Sequence, residues 1–319
     1  MRRHNEPSLN TVVILLSTAM LLGAILAFGQ VAAGPGTRAP DSGEAVFTTE
    51  TRLVALNVTV TDKSGHLVPN LPESAFRVFE NNVVQPISVF KHEDVPVSLA
   101  LVVDSSGSMR SKQRGVDAAV VALVKDSNPQ DESFVVDFND RAFLDVDFTS
   151  DVAVLGKALD NVEPQGGTAM RDAISMSISH LRSKARHDKK AVIVVTDGND
   201  NASTIRLDSL VKMAQQDGVL IYAIGLLNEE DSSAAGMAKR ALKALVESTG
   251  GQVFYPRDVS AVDPIAHQVA HDIRNQYSIA YTPLDDKLDG TFRAIRVTVK
   301  APGNPNVRTR TGYWATPSR

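Results

Sequence analysis

From Pro96 onward the chain alternates short, wholly apolar runs with stretches of helical period, and few folds accept that rhythm. Residues 99–103, 191–195 and 219–224 read as strands with no polar alternation, which implies cover on both faces, and 134–138 reads as a further strand interrupted only by Asp137. Between them lie amphipathic helices. In 115–125, Val116, Val120, Leu123 and Val124 share one face; in 152–162 it is Leu155, Leu159 and Val162; in 170–181 it is Ile174, Ile178 and Leu181. Further helices are expected at 207–216, 235–248 and 262–275, a short strand at 252–255, and an alternating edge strand at 143–148. Parallel strands need crossovers, and right-handed crossovers through helices wind both ways around a sheet. The fold class expected for 96–275 is therefore α/β, with a doubly wound, mostly parallel sheet.

The two flanks read differently. Over 47–95, Leu53, Ala55, Val58 and Val60 partly alternate, Thr61-Asp62-Lys63-Ser64-Gly65 makes a turn, and two short strands fall at 76–79 and 87–90 around an Glu80-Asn81-Asn82 turn. Over 276–319, extended runs at 276–281, 292–300 and 307–313 are separated by Pro, Gly and Asp. Neither flank has enough strands for a core of its own, so the two are expected to pack together as a small β-rich subdomain.

The beginning of the chain looks like an export signal. Arg2, Arg3 and His4 precede a run, 11–28, that is apolar apart from Ser17 and Thr18, and Val31 and Ala33 suit a small-residue cleavage site. The run is also just long enough to span a bilayer. Residues 1–33 are thus expected to be a signal peptide or an N-terminal membrane anchor, with 34–46 as a flexible linker and the remainder exported: periplasmic, secreted or anchored. The chain has no cysteine, which removes disulfides, thiolate metal sites and cysteine nucleophiles. A net charge of −4 without a dense basic run argues against nucleic acid as a partner.

Three loops carry chemistry. Asp104-Ser105-Ser106-Gly107-Ser108 follows an apolar strand and sets one carboxylate and two hydroxyls at alternate positions, with Gly107 allowing a tight bend. Gln165-Gly166-Gly167-Thr168 opens a helix, and Thr196-Asp197-Gly198-Asn199-Asp200 follows another strand. Small oxygen ligands converging at close range suit a hard divalent cation. Taken singly, each loop also reads as local capping: Ser108 or Ser111 on the helix before Val116, Thr168 at Ala169, Asp197 in an Asx-turn. Taken together, their order, spacing and preceding strands resemble the metal-ion-dependent adhesion site of von Willebrand factor A domains, a Rossmann-like fold. The flanks resemble an exported bacterial VWFA-related subfamily, in the turn after Val60 and in Thr311-Gly312-Tyr313.

The resemblance implies a Mg²⁺ ion (or Mn²⁺ or Ca²⁺) held directly by Ser106 and Ser108. Thr168 would bind directly or through water, and Asp104 and Asp197 would hold coordinated waters. One open position would take an Asp or Glu carboxylate from a partner protein. The function this implies is a non-enzymatic, cation-dependent protein-binding module outside the cytoplasm. A Mg²⁺-dependent hydrolase and a metal-independent scaffold binding through edge strands are the alternatives. No general base stands in the loops, and there is no Walker loop, Gly-x-Ser-x-Gly elbow or Gly-x-Gly-x-x-Gly turn. Asp140, Asp145, Asp147 and Asp151 read as a solvated acidic face, with a second cation site as the sharper reading. His267 and His271 have zinc spacing but lack the Glu of a zincin helix, so they read as helix-surface histidines.

Overall fold

Strand β1 (Val54–Thr61) buries Val54, Leu56, Val58 and Val60 at every second position, so one face of it meets a core. Strands β2 (Phe76–Glu80) and β3 (Val83–Gln85) form a hairpin across Asn81 and Asn82, whose φ values are +48° and +67°. Two consecutive left-handed residues make the turn that matches strand twist, and asparagine tolerates that conformation. Strand β3 was not expected from the sequence; Pro86 separates it from β4 (Ile87–Lys91), which joins a different sheet. The computed structural model describes residues 53–92, 94–160, 162–227 and 232–317. The expected leader or anchor and the linker lie outside the described residues.

The α/β segment follows: β5 (Val97–Asp104), α1 (Gln113–Lys125), β6 (Glu132–Phe138), β7 (Ala142–Thr149), α2 (Val152–Asp160), α3 (Met170–Lys184), β8 (Lys189–Thr196), α4 (Leu207–Asp217), β9 (Leu220–Gly225), α5 (Ser232–Thr249), β10 (Val253–Phe254) and α6 (Val262–Arg274). The strands form one sheet in the order β10-β9-β8-β5-β6-β7, parallel throughout except for β7. The apolar runs are explained by their two faces. In β5, Leu99, Leu101 and Val103 pack toward α1, α2 and α6, while Ala100 and Val102 pack toward α3, α4 and α5. In β8 the same division separates Ala191, Ile193 and Val195 from Val192 and Val194. Each fully buried Val or Leu contributes about 1.5–3 kcal/mol through removal from water. No described helix is long and apolar enough to cross a membrane.

The chain then completes the β-rich part with β11 (Tyr277–Tyr281), β12 (Phe292–Val299), β13 (Asn306–Arg308) and β14 (Gly312–Trp314). Two four-stranded antiparallel sheets result, β13-β1-β11-β4 and β14-β12-β2-β3, and each contains strands from both ends of the chain. Their common core holds Leu56, Val58, Val78, Tyr277, Ile279 and Tyr281. The single strand expected at 307–313 is two strands in different sheets. The backbone between them crosses against α5: Thr311 N–H donates to Ser248 O at 3.2 Å, and a Cβ at Gly250 would lie 2.6 Å from the Thr309 carbonyl carbon.

The reversal of winding direction falls at β5. Its chain successor β6 lies on one side and β8 on the other, so the C-terminal ends of β5 and β8 flank the crevice where an open α/β sheet binds ligands.

Candidate metal centre

Asp104 is the last residue of β5 and is wholly buried. Both its oxygens accept hydrogen bonds. Oδ1 takes the Ser106 N–H at 2.8 Å, folding its own loop back, and Oδ2 takes the Thr196 hydroxyl at 2.6 Å, tying that loop to the end of β8. Burial pushes the carboxyl above its usual range. The hydrogen bonds from Ser106 and Thr196 work against this, and the nearby Asp197 carboxylate adds to it.

The chain leaves Asp104 into a 3₁₀ turn, Gly107–Ser111, pinned by the buried Met109. Ser106 Oγ and Ser108 Oγ lie 3.1 Å apart, and Ser108 Oγ donates to Asp197 Oδ1 at 2.7 Å. The Ser105 hydroxyl points the other way and donates to Asp137 Oδ2 on β6 at 2.6 Å. Gln165 N–H donates to Ser105 O at 2.9 Å and Gly107 N–H to Gly166 O at 3.2 Å, which brings the Gly-Gly loop beside the first. Gly166 has φ +71°, and any Cβ there would meet Asp140 Oδ2 at 2.2 Å. Asp140 fills that space, and its Oδ1 accepts from Gly167 N–H at 2.8 Å.

Thr168 is clasped by the third loop. Its N–H donates to Asn201 Oδ1 at 2.9 Å, and its carbonyl accepts from the N–H groups of Asn201 and Ala202. Its hydroxyl lies over Gly198, where a Cβ would stand 3.4 Å from Oγ1. Four of the five expected residues thus form one hydrogen-bonded run, from Asp104 through the Ser106 backbone to Ser106, Ser108 and Asp197. Thr168 borders that run from the Asp197 side without bonding into it.

Local capping does not account for these side chains. The residue before α1 is Lys112 and the residue before α3 is Ala169, and neither helix start has a side-chain cap. The Asp197 oxygens go to Ser108 and Lys112. The donor set is two carboxylates and three hydroxyls at the mouth of the sheet, hard oxygen throughout, and it fits a small divalent cation better than a soft one. Asp197 has a side chain only 1 % exposed and already draws a cation, Lys112 Nζ, to 2.6 Å.

Three contributors escaped the sequence reading. Thr196 holds Asp104, Asn201 holds Thr168, and Lys112 meets Asp197 and also donates to Leu226 O at 3.3 Å. Thr196 was visible as the first residue of the third loop, with no role assigned to its hydroxyl. Lys112 was visible only as a basic residue four positions after Ser108.

The acidic cluster separates into single tasks. Asp140 braces the Gly-Gly loop, Asp151 caps α2 through Ala153 N–H at 2.8 Å, and Asp147 pairs with His180 at 2.7 Å. The Asp145 carboxyl is pushed up to about 7 by partial desolvation and by the neighbouring Asp137 carboxylate, although its side chain stands at the surface of β7. His267 pairs with Asp126 and Asp263 on the surface of α6. Among the described residues no three His, Asp or Glu side chains converge as a metal cluster.

The family model for the von Willebrand factor type A domain matches residues 98–268. Among curated proteins, an uncharacterized protein of Synechocystis sp. is 24% identical over 166 residues, covering 50% of this chain and 38% of its own. The collagen alpha-1(VI) chain of Gallus gallus is 30% identical over 144 residues, covering 41% of this chain and 14% of its own. The chain spans well under half the length of these relatives. Among solved structures, a von Willebrand factor type A protein from Catenulispora acidiphila is similar at a TM-score of 0.49 and 12% identity, over 84% of this chain and 75% of that one. Proximal thread matrix protein 1 of the mussel byssus, with a zinc-occupied MIDAS motif, is similar at 0.48 and 21%, over 61% and 49%. The match to the family model covers more than half of the residues, and the chain belongs to the von Willebrand factor type A domain family.

Proposed function

We propose that this protein is a divalent-cation-dependent protein-binding module that acts outside the cytoplasm and carries out no bond-breaking itself. The observation that supports this most is the run Ser106–Ser108–Asp197, with hydroxyl and carboxylate oxygens 3.1 and 2.7 Å apart at the reversal point of the sheet. Ser106, Ser108 and Thr168 would hold Mg²⁺, or Mn²⁺ or Ca²⁺, and Asp104 and Asp197 would fix its waters and its charge. A bound ion supplies one chemical property here: it is electrophilic toward an outside carboxylate. The protein keeps it so by offering hydroxyls where a storage site would offer more carboxylates. The partner is a protein presenting an Asp or Glu side chain. The reading as an exported module draws on the basic, then apolar, beginning of the chain.

The test is retention of envelope proteins on the immobilised chain in Mg²⁺ and in EDTA, for the native sequence and for Ser106→Ala. Proteins held by the native chain in Mg²⁺, and released both by EDTA and by Ser106→Ala, are the expected result. Retention indifferent to both would overturn the metal-bridged reading. Phosphoester turnover lost on Ser106→Ala would replace it with a hydrolase.

A further inference from the structure

The candidate site contains a cation of its own. Lys112 Nζ lies 2.6 Å from Asp197 Oδ2, and Ser108 Oγ lies 2.7 Å from the other oxygen of the same carboxylate. The ammonium also donates to Leu226 O at 3.3 Å, at the end of β9. That carbonyl is held in place because Leu226 N–H donates to Thr196 O at 2.8 Å. The Lys112 side chain is 26 % exposed and the Asp197 side chain 1 %. This is a half-buried lysine anchored at two points, unlike a surface lysine in passing contact.

Two consequences follow from elementary electrostatics. A buried carboxylate with no cation beside it is costly, and the pair removes that cost when no metal is bound. The same ammonium repels a divalent ion brought to Ser108, because both would lean on the two oxygens of one carboxylate.

We propose that Lys112 is a tethered counter-ion of the site. It holds the metal-free loops together through Asp197, and it weakens uptake of the divalent ion. Loading then favours conditions in which a partner carboxylate arrives with the ion, since a site partly neutralised from within retains less negative charge to repel that carboxylate. The proposal rests on the metal-site reading above and adds a role for a residue outside the five oxygen donors.

The test is Mn²⁺ binding followed by calorimetry and by the loss of free-ion EPR signal, with no partner present. The proteins are the native chain, Lys112→Met, Lys112→Arg and, as a control, Asp104→Ala. Lys112→Met keeps the length and removes the charge; it is expected to bind Mn²⁺ about tenfold more tightly or better. Lys112→Arg keeps the charge and is expected to stay near the native affinity. In EDTA, Lys112→Met is expected to melt several degrees below the native chain, with the gap closing in saturating Mn²⁺. Equal or weaker Mn²⁺ binding by Lys112→Met, with native circular dichroism in Mn²⁺, overturns the counter-ion role and leaves the metal site standing. Absence of Mn²⁺ binding in both the native chain and Lys112→Met overturns the metal site itself, and the counter-ion role with it.

Discussion

Thr196 shows how much rests on single hydroxyls in this molecule. Its Oγ1 donates to Asp104 Oδ2 and accepts the Gly198 N–H at 3.2 Å, so one atom joins the end of β8 to the first and third oxygen-rich loops. Asp104 is completely buried, and a buried carboxylate oxygen that loses its donor bears the full desolvation penalty. Thr196→Val keeps the shape and removes the bond; it is expected to lower stability by about 1–3 kcal/mol in urea denaturation. An unchanged midpoint would mean that Asp104 is satisfied some other way. The five candidate ligands were legible in the sequence because each stands in a loop of small polar residues after an apolar run. The residues that hold them were not. Thr196 reads as the opening residue of a loop whose Asp197 draws the attention, Asp140 as part of an acidic face, and Lys112 as an ordinary basic residue. Only the folded arrangement sets Asp140 against Gly166 and Lys112 against Asp197.

Among the elements, α1 and α2 pack side by side with a like-charge pair between them. The Asp117 carboxyl on α1 is pushed up to about 6 by burial, opposed by its hydrogen bond from Gln113 at 2.9 Å, with Asp160 on α2 raising it further. In the unfolded chain the same group titrates near 3.8. Between those values the folded state binds a proton that the unfolded state has released. The stability contributed is therefore full below pH 3.8 and is lost as pH rises through about 6. Asp117→Asn is accordingly expected to stabilise the protein at pH 7 by about 1–2 kcal/mol after allowance for solvent screening, and to change little at pH 3.5. Urea midpoints of the two proteins from pH 3.5 to 7.5 would decide it; parallel profiles would remove Asp117 from the pH response. Helices and strands of the α/β segment were readable because their periods are local. The chain from Asn306 to Trp314 was not, because one extended stretch serves two sheets. Its division is imposed by α5 and Gly250 pressing on the backbone in between.

In the molecule as a whole, the β-rich part meets the α/β part through buried polar links as well as apolar contact. Arg308 on β13 donates to Asp272 on α6 at 2.7 Å, and Asp272 is only 4 % exposed. Gln276 Nε2 bridges Thr59 Oγ1 of β1 and Tyr222 OH of β9, at 3.0 and 3.2 Å. Arg308→Met leaves Asp272 charged and buried without its counter-ion, at an expected cost of about 3–5 kcal/mol. Arg308→Met combined with Asp272→Asn is expected to recover much of that loss in thermal or urea unfolding, and an additive double variant would argue against a direct pair. The sequence by itself determined the alternation of strands and helices in the α/β segment, its doubly wound class and the three oxygen-rich loops. Those depend on hydrophobic period and loop composition, which are written over a few residues at a time. Tertiary structure alone decided which side chains complete the site. Asp104 and Thr196 stand 92 positions apart, and Lys112 and Asp197 stand 85 apart. Each pair meets because β5 and β8 lie next to each other in parallel register, an adjacency that no local pattern of residues encodes.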